Sequence, residues 1–239
     1  SILINSLILI IPSIIIIIKR DYYINIKFIK FILISSLLTT ILILESNVYR
    51  PDSGLYHLPF IGILNSEKII IGLSNIHLRY GHTSIMQYIS AISNNIFLKN
   101  NGIVYPQALL ATSIIINFIS QIYFYIRNQK LNFHFFFLLF ILIYIFYKMN
   151  RYSEYGNDAP AHFLVFFLIS EILSKLKNVN SSNILDHLII SLFIIMNKLT
   201  LILIVLINLV NFKSIKFNEF IKNKKFLFFS FFFSVWLGK

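Results

Sequence analysis

Residues 103–126 read IVYPQALLATSIIINFISQIYFYI and residues 131–147 read LNFHFFFLLFILIYIFY, with only Arg127, Asn128, Gln129 and Lys130 between them. Each run approaches or exceeds the roughly 18 to 20 apolar residues that cross a bilayer as a helix. Across the chain the apolar residues come in blocks of this kind rather than in amphipathic stripes. With 57% hydrophobic residues and a mean hydropathy of +0.78, this patterning makes lipid the expected solvent. The expected fold is all-α, a polytopic transmembrane helix bundle forming a single domain over residues 1–239.

Further spans are expected at 2–18, kinked at Pro12, at 28–44, at 159–173 and at 226–237. The formal charge of +12 would suggest nucleic acid in a soluble domain. Here the cations sit in short segments between apolar runs, where topology and anionic headgroups account for them, so no nucleic-acid partner is expected. Lys19, Arg20, Lys27 and Lys30 place the first connection on the cytoplasmic side, Arg127 and Lys130 the next, and Lys175 and Lys177 another. Residues 45–102 and 148–159 then become two outer loops on one face. Within the first, Ile85, Tyr88, Ile89 and Ile92 recur at helical spacing and predict a short interfacial helix over 83–97. Cysteine is absent, which excludes a disulfide framework or a thiolate metal site. The chain opens at Ser1 within an apolar run and is expected to be a fragment of a longer protein.

Residues 184–212 allow two readings. As one span they put Lys213, Lys216, Lys222, Lys224 and Lys225 outside, against the charge rule, and leave Lys198 near mid-membrane. As a hairpin turning near Asn197 and Lys198 they keep that basic connection inside, and this is the preferred reading.

Five of the nine acidic residues, Glu45, Asp52, Glu67, Glu154 and Asp158, fall in the two loops. A carboxylate at a membrane surface can act as a base towards a hydroxyl, bind a divalent ion, or simply pair with a cation. Pro51 and Gly54 bracket Asp52, which suggests a fixed turn presenting it. Glu154 and Asp158 are four apart and could share a metal, Mg or Mn, while Arg151 could meet a phosphate or pair with Glu154. His57, His77 and His82 share the first loop without a metal-binding spacing, so hydrogen bonding to substrate or backbone is the expectation. Gly72 to Arg79 suits a turn that holds an anion, or a headgroup contact.

Three stretches carry a resemblance: Asp52-Ser53-Gly54-Leu55-Tyr56-His57, Gly72-Leu73-Ser74-Asn75-Ile76-His77-Leu78-Arg79, and Ser153-Glu154-Tyr155-Gly156-Asn157-Asp158. Together they resemble a large family of bacterial multi-pass inner-membrane proteins that is similar to the GT-C superfamily of polyprenyl-phosphate-sugar glycosyltransferases. The resemblance implies an acidic base or acceptor-binding group in the first outer loop, where Asp52 stands, and an acidic pair in the second, where Glu154 and Asp158 stand. In that superfamily the paired acids are adjacent or one residue apart, whereas three residues intervene here. The implied function is an inner-membrane glycosyltransferase with a lipid-phosphate-linked sugar donor and a saccharide or lipid acceptor, serving envelope polysaccharide or glycolipid assembly. Asp52 would be the base, with His57, His77, Arg79, Arg151, Glu154, Asp158 and Lys198 binding substrate. The competing expectations are a transporter or flippase for an anionic or lipid-linked substrate, working through Lys198 and Glu171 at mid-depth, and a non-catalytic membrane scaffold.

Overall fold

In the computed structural model the chain divides into two compact units, residues 1–35 and 36–239. The structure describes residues 30, 34, 37, 41, 51–66, 72–81, 84–94, 101–152, 155–175 and 181–209. The expected spans 2–18 and 226–237 and the basic connection 213–225 lie outside the described residues, as does most of span 28–44. In the first unit Lys30 and Ile34 are helical and exposed.

The second unit is helical throughout its described elements, with no strand among them. A π-helical turn, Ser53–His57, leads into α1, Leu58–Ser66, and short turns at Leu73–Ile76 and Leu78–Gly81 precede α2, Ile85–Ser93. Then come α3, Asn101–Arg127; α4, Phe133–Tyr147; a turn at Met149–Tyr152; and α5, Asp158–Lys175. They are followed by α6, Ser181–Asn197, a 3-10 turn at Leu199–Ile204, and α7, Val205–Leu209.

Local chemistry sets these boundaries. Ser84 and Gln87 form a capping box that starts α2, each side chain taking up a backbone N–H of the first turn. α3 stops where Gln129 enters the left-handed region at φ 52°, with Lys130 N–H bonded to Tyr125 O at 3.0 Å and Gln129 N–H to Ile126 O at 3.1 Å. Those two bonds satisfy carbonyls that a helix end leaves open. Three residues later Asn132 caps α4 by accepting from Phe135 N–H at 2.9 Å.

Four hydrogen bonds show that α3 to α6 run up and down. At one end Gln107, near the start of α3, donates to the carbonyl of Tyr152 just past α4 at 2.9 Å. There too Lys198, after α6, meets Asp158 at the start of α5. At the other end His134 joins Tyr125 of α3 to Ser170 of α5, with both contacts at 2.9 Å. Between the ends Ile115, Phe118, Leu138, Ile145 and Phe163 are packed without solvent contact, and Leu168 with Ile194 seals α5 against α6.

On α4 and α5 exposed apolar side chains stand beside buried polar ones. Phe133, Phe140 and Tyr147 on α4 are 74%, 71% and 79% exposed, whereas His134 and Ser170 are 4% and 0%. α4 is apolar on every side, with Phe135, Leu138, Leu142 and Ile145 buried and the opposite face exposed. Among the described residues one helix, Gly102–Arg127, is long and apolar enough to cross a membrane. α4, of 15 residues, reaches only about 22 Å against roughly 30 Å of hydrocarbon.

Over its described part, 184–209, the run 184–212 is not one straight helix. α6 ends at Asn197, Lys198 is extended at φ −148°, and the chain doubles back. Asn208 then donates to Ser191 at 2.7 Å although the two are 17 residues apart, a separation of about 25 Å along a continuous helix. Asn197 fixes the turn by accepting from the Ser84 hydroxyl at 3.0 Å and from Met86 N–H at 3.3 Å. Nearby the end of α2 touches the start of α3 backbone to backbone. A Cβ added at Gly102 would lie 2.3 Å from Ser93 O, so only glycine fits.

The expected helix over 83–97 is described as Ile85–Ser93. It buries Met86, Gln87, Ser90 and Ala91 and leaves Ile92 exposed, with Ile85, Tyr88 and Ile89 half-buried. The apolar stripe legible in the sequence is thus the outward face, because the polar inner face is occupied by bonds to Asn197 and His57.

Candidate functional site

The loop expected to carry Asp52 is helical from Pro51, and the π-helical turn begins at the next residue after Asp52. Such a turn takes one more residue than an α-helical one and is a frequent device at functional sites. Its buried Ser53 donates to the carbonyl of Tyr155 at 2.8 Å, across 102 residues of sequence. That bond holds the two motif segments together. Asp52, Tyr56 and His57 on one side, and Arg151, Tyr155, Gly156, Asn157, Asp158 and Ala159 on the other, line one cavity of about 160 Å³. Arg151 also borders an open groove of about 390 Å³ with Tyr147, Lys148 and Asn150.

The two carboxylates have different surroundings. Asp52 lies 3.7 Å from Arg79, with side chains 61% and 53% exposed, and Arg79 stacks 4.7 Å over the Tyr56 ring. An exposed pair of this length contributes little stability, which leaves the Asp52 carboxylate open to a ligand. Asp158 is held by Lys198 at 2.5 Å on one oxygen and by Arg151 at 3.5 Å on the other. Partial burial pushes its carboxyl up. The Lys198 hydrogen bond, with the charges of Lys198, His162 and Arg151, outweighs this and holds it below the ordinary 3.8.

His57 is buried, its Nδ1 2.8 Å from the Gln87 amide. Burial lowers its pKa to about 4 despite the raising influence of Asp52 and Asp158, so the ring is neutral at neutral pH.

Of the residues singled out from the sequence, Asp52, His57, Arg151 and Asp158 meet on this cavity, with Arg79 and Lys198 paired to its carboxylates. His77 does not join them: it is exposed, and its Nδ1 accepts from the N–H of Arg79 at 3.2 Å. Glu154, His82, Glu45 and Glu67 lie outside the described residues. Of the two carboxylates expected to share Mg or Mn, Asp158 has a cation on each oxygen, and Glu154 is the one outside the described residues. No group of three His, Asp or Glu able to hold a metal occurs among the described residues. Gln87 and Lys148 were given no role by the sequence, and Tyr56 and Asn157 stood in the quoted stretches without one. For Gln87 a signal existed, since Ser84-x-x-Gln87 is a capping-box spacing.

Fold and site define an all-helical protein that has, among the described residues, one apolar helix of membrane-spanning length and a charged cavity at one end of its bundle. The chain belongs to the family described as a domain of unknown function, DUF8201, whose model matches residues 1–239. No curated protein and no solved structure matches it.

Proposed function

We propose that this chain is a multi-pass glycosyltransferase of the bacterial inner membrane that takes a sugar from a lipid-phosphate donor at the outer face. One observation carries the reading: Asp52 and Asp158, from segments far apart in sequence, line one cavity with Arg151, and Lys198 caps Asp158. Asp52 deprotonates the acceptor hydroxyl. The freed oxygen bonds to the anomeric carbon, the bond from that carbon to the phosphate oxygen breaks, and the polyprenyl phosphate leaves with the electron pair. Lys198, Arg151 and Lys148 meet the phosphate, and the exposed aromatic face of α4 meets the lipid tail. The product is a saccharide or glycolipid for the cell envelope.

The transporter alternative needs Lys198 and Glu171 to act together at mid-depth. Lys198 is engaged with Asp158 at the first turn of α5, while Glu171 pairs with Lys175 at 2.6 Å near its last turn, so the two belong to opposite ends of one helix. A scaffold would not require the cavity.

The test is transfer of labelled sugar from polyprenyl-phosphate donors in proteoliposomes. Asp52→Asn keeps the shape but cannot accept the proton, and is expected to fold normally and lose transfer at least a hundredfold. Undiminished turnover in Asp52→Asn would overturn the assignment.

A further inference from the structure

The capping box of α2 does more than begin a helix. The Ser84 N–H donates to Gln87 Oε1 at 3.1 Å, which fixes the orientation of the Gln87 amide. Its other end, Nε2, is a donor only, and it stands 2.8 Å from His57 Nδ1. Nδ1 must therefore accept, and in a neutral ring the single proton sits on Nε2. That nitrogen has no hydrogen-bond partner among the described residues. It faces Gly156, where an added Cβ would lie 3.5 Å away, so no side chain stands between Nε2 and the cavity at that point.

Resting on the reading of this cavity as a ligand site, we propose that His57 is a fixed, uncharged hydrogen-bond donor to a phosphate oxygen, and that Gln87 is the residue that positions it. The groups facing His57 are Tyr56 and Asp52 on its own turn, Arg79 from the 3-10 turn, Gln87 from α2, and Tyr155 and Asp158 from beyond α4. Among the described residues three cations, Arg79, Arg151 and Lys198, stand against two carboxylates, Asp52 and Asp158, around the cavity, an excess of one positive charge that suits an anion. A neutral donor adds a directed bond without a further charge to desolvate.

Gln87→Glu separates this role from a structural one. Glutamate preserves the capping box, because it still accepts from Ser84 N–H, but it offers His57 an acceptor in place of a donor. Histidine ¹⁵N resonances in nanodiscs read the outcome, with His57→Gln used to assign the signal among the six histidines. The wild type is expected to show an acceptor-type Nδ1 and a protonated Nε2, and Gln87→Glu a protonated Nδ1. A polyprenyl phosphate in the nanodisc should move the wild-type Nε2 signal, with affinity at least tenfold weaker in Gln87→Glu. A response to inorganic phosphate alone would place the recognition in the phosphate group, and a response only to the polyprenyl phosphate would add the lipid. A wild-type Nδ1–H tautomer would overturn the inference whatever the enzyme does, as would phosphate binding that leaves His57 unmoved. A shifted His57 in a protein that transfers no sugar would uphold the donor and sink the transferase.

Discussion

The two ends of the α3 to α6 bundle use polar residues in opposite ways. At the His134 end polarity is closed on itself: both ring nitrogens are bonded, the neighbouring cations Arg127 and Lys130 are exposed, and Glu171 is neutralised by Lys175 four residues away. At the Lys198 end polarity is left open, with an exposed Asp52, a donor nitrogen on His57 without a partner among the described residues, and a cavity between the two segments. The contrast separates polar groups that hold helices together from polar groups held ready for a ligand. In a lipid environment, where apolar packing gives little preference for one helix neighbour over another, bonds like those of His134 carry specificity.

The sharpest way to break the comparison is at His134 itself. His134→Leu keeps the volume but leaves the Tyr125 and Ser170 hydroxyls facing an apolar group, at an expected cost of about 2–4 kcal/mol. Thermal unfolding in detergent should fall by several degrees while polyprenyl-phosphate binding stays intact. His187 on α6 supplies the control, for both its ring nitrogens are buried without a hydrogen-bond partner among the described residues. His187→Leu is expected to leave the melting temperature unchanged or raise it. Equal losses in the two variants would erase the distinction between a bonded and an unbonded buried histidine.

Next in size is Gly102→Ala. The new methyl meets Ser93 O, α2 must move, and the expected cost is about 1–3 kcal/mol. Because α2 carries Gln87, the same variant should also weaken ligand binding, unlike His134→Leu.

The last effect is on pH dependence, and it belongs to the open end. The folded imidazole of His57 resists protonation, with its pKa lowered from 6.5 to about 4, so the unfolded chain takes up the proton first. Its contribution is complete above pH 6.5 and is lost as the pH falls from there towards 4. Asp158 acts lower: its stabilisation is present above 3.8 and disappears as the pH falls through its depressed value. Melting curves from pH 8 to pH 4 should therefore be flatter in His57→Gln than in the wild type.

Much of the frame was legible in the residues. Blocks of Ile and Phe announce helices, the pairs Arg127–Lys130 and Asn197–Lys198 mark turns, and counting the runs between Asp52 and Asp158 returns both to one end. Other features required coordinates. Nothing local in Leu-Asn-Phe-His-Phe tells that His134 will find Tyr125 and Ser170, because its partners lie on other helices. The Ile85 to Ile92 stripe announces a helix but not which way it faces, since that depends on Gln87 reaching His57 and Ser84 reaching Asn197. His77 looked equivalent to His57 in composition and is separated from it only by tertiary placement.

The proposed outer-face site requires the open end to face out of the cell and the closed end to face in. The natural absence of cysteine makes it testable with single substitutions. Ser53 is buried and unsuitable, but Leu55 is 67% exposed, Asn157 lines the cavity, and Asn128 sits in the exposed turn after α3. In intact cells an impermeant maleimide should modify Leu55→Cys and Asn157→Cys and should reach Asn128→Cys only after permeabilisation. Labelling of Leu55→Cys and Asn157→Cys from opposite sides, or of all three from outside, would contradict it.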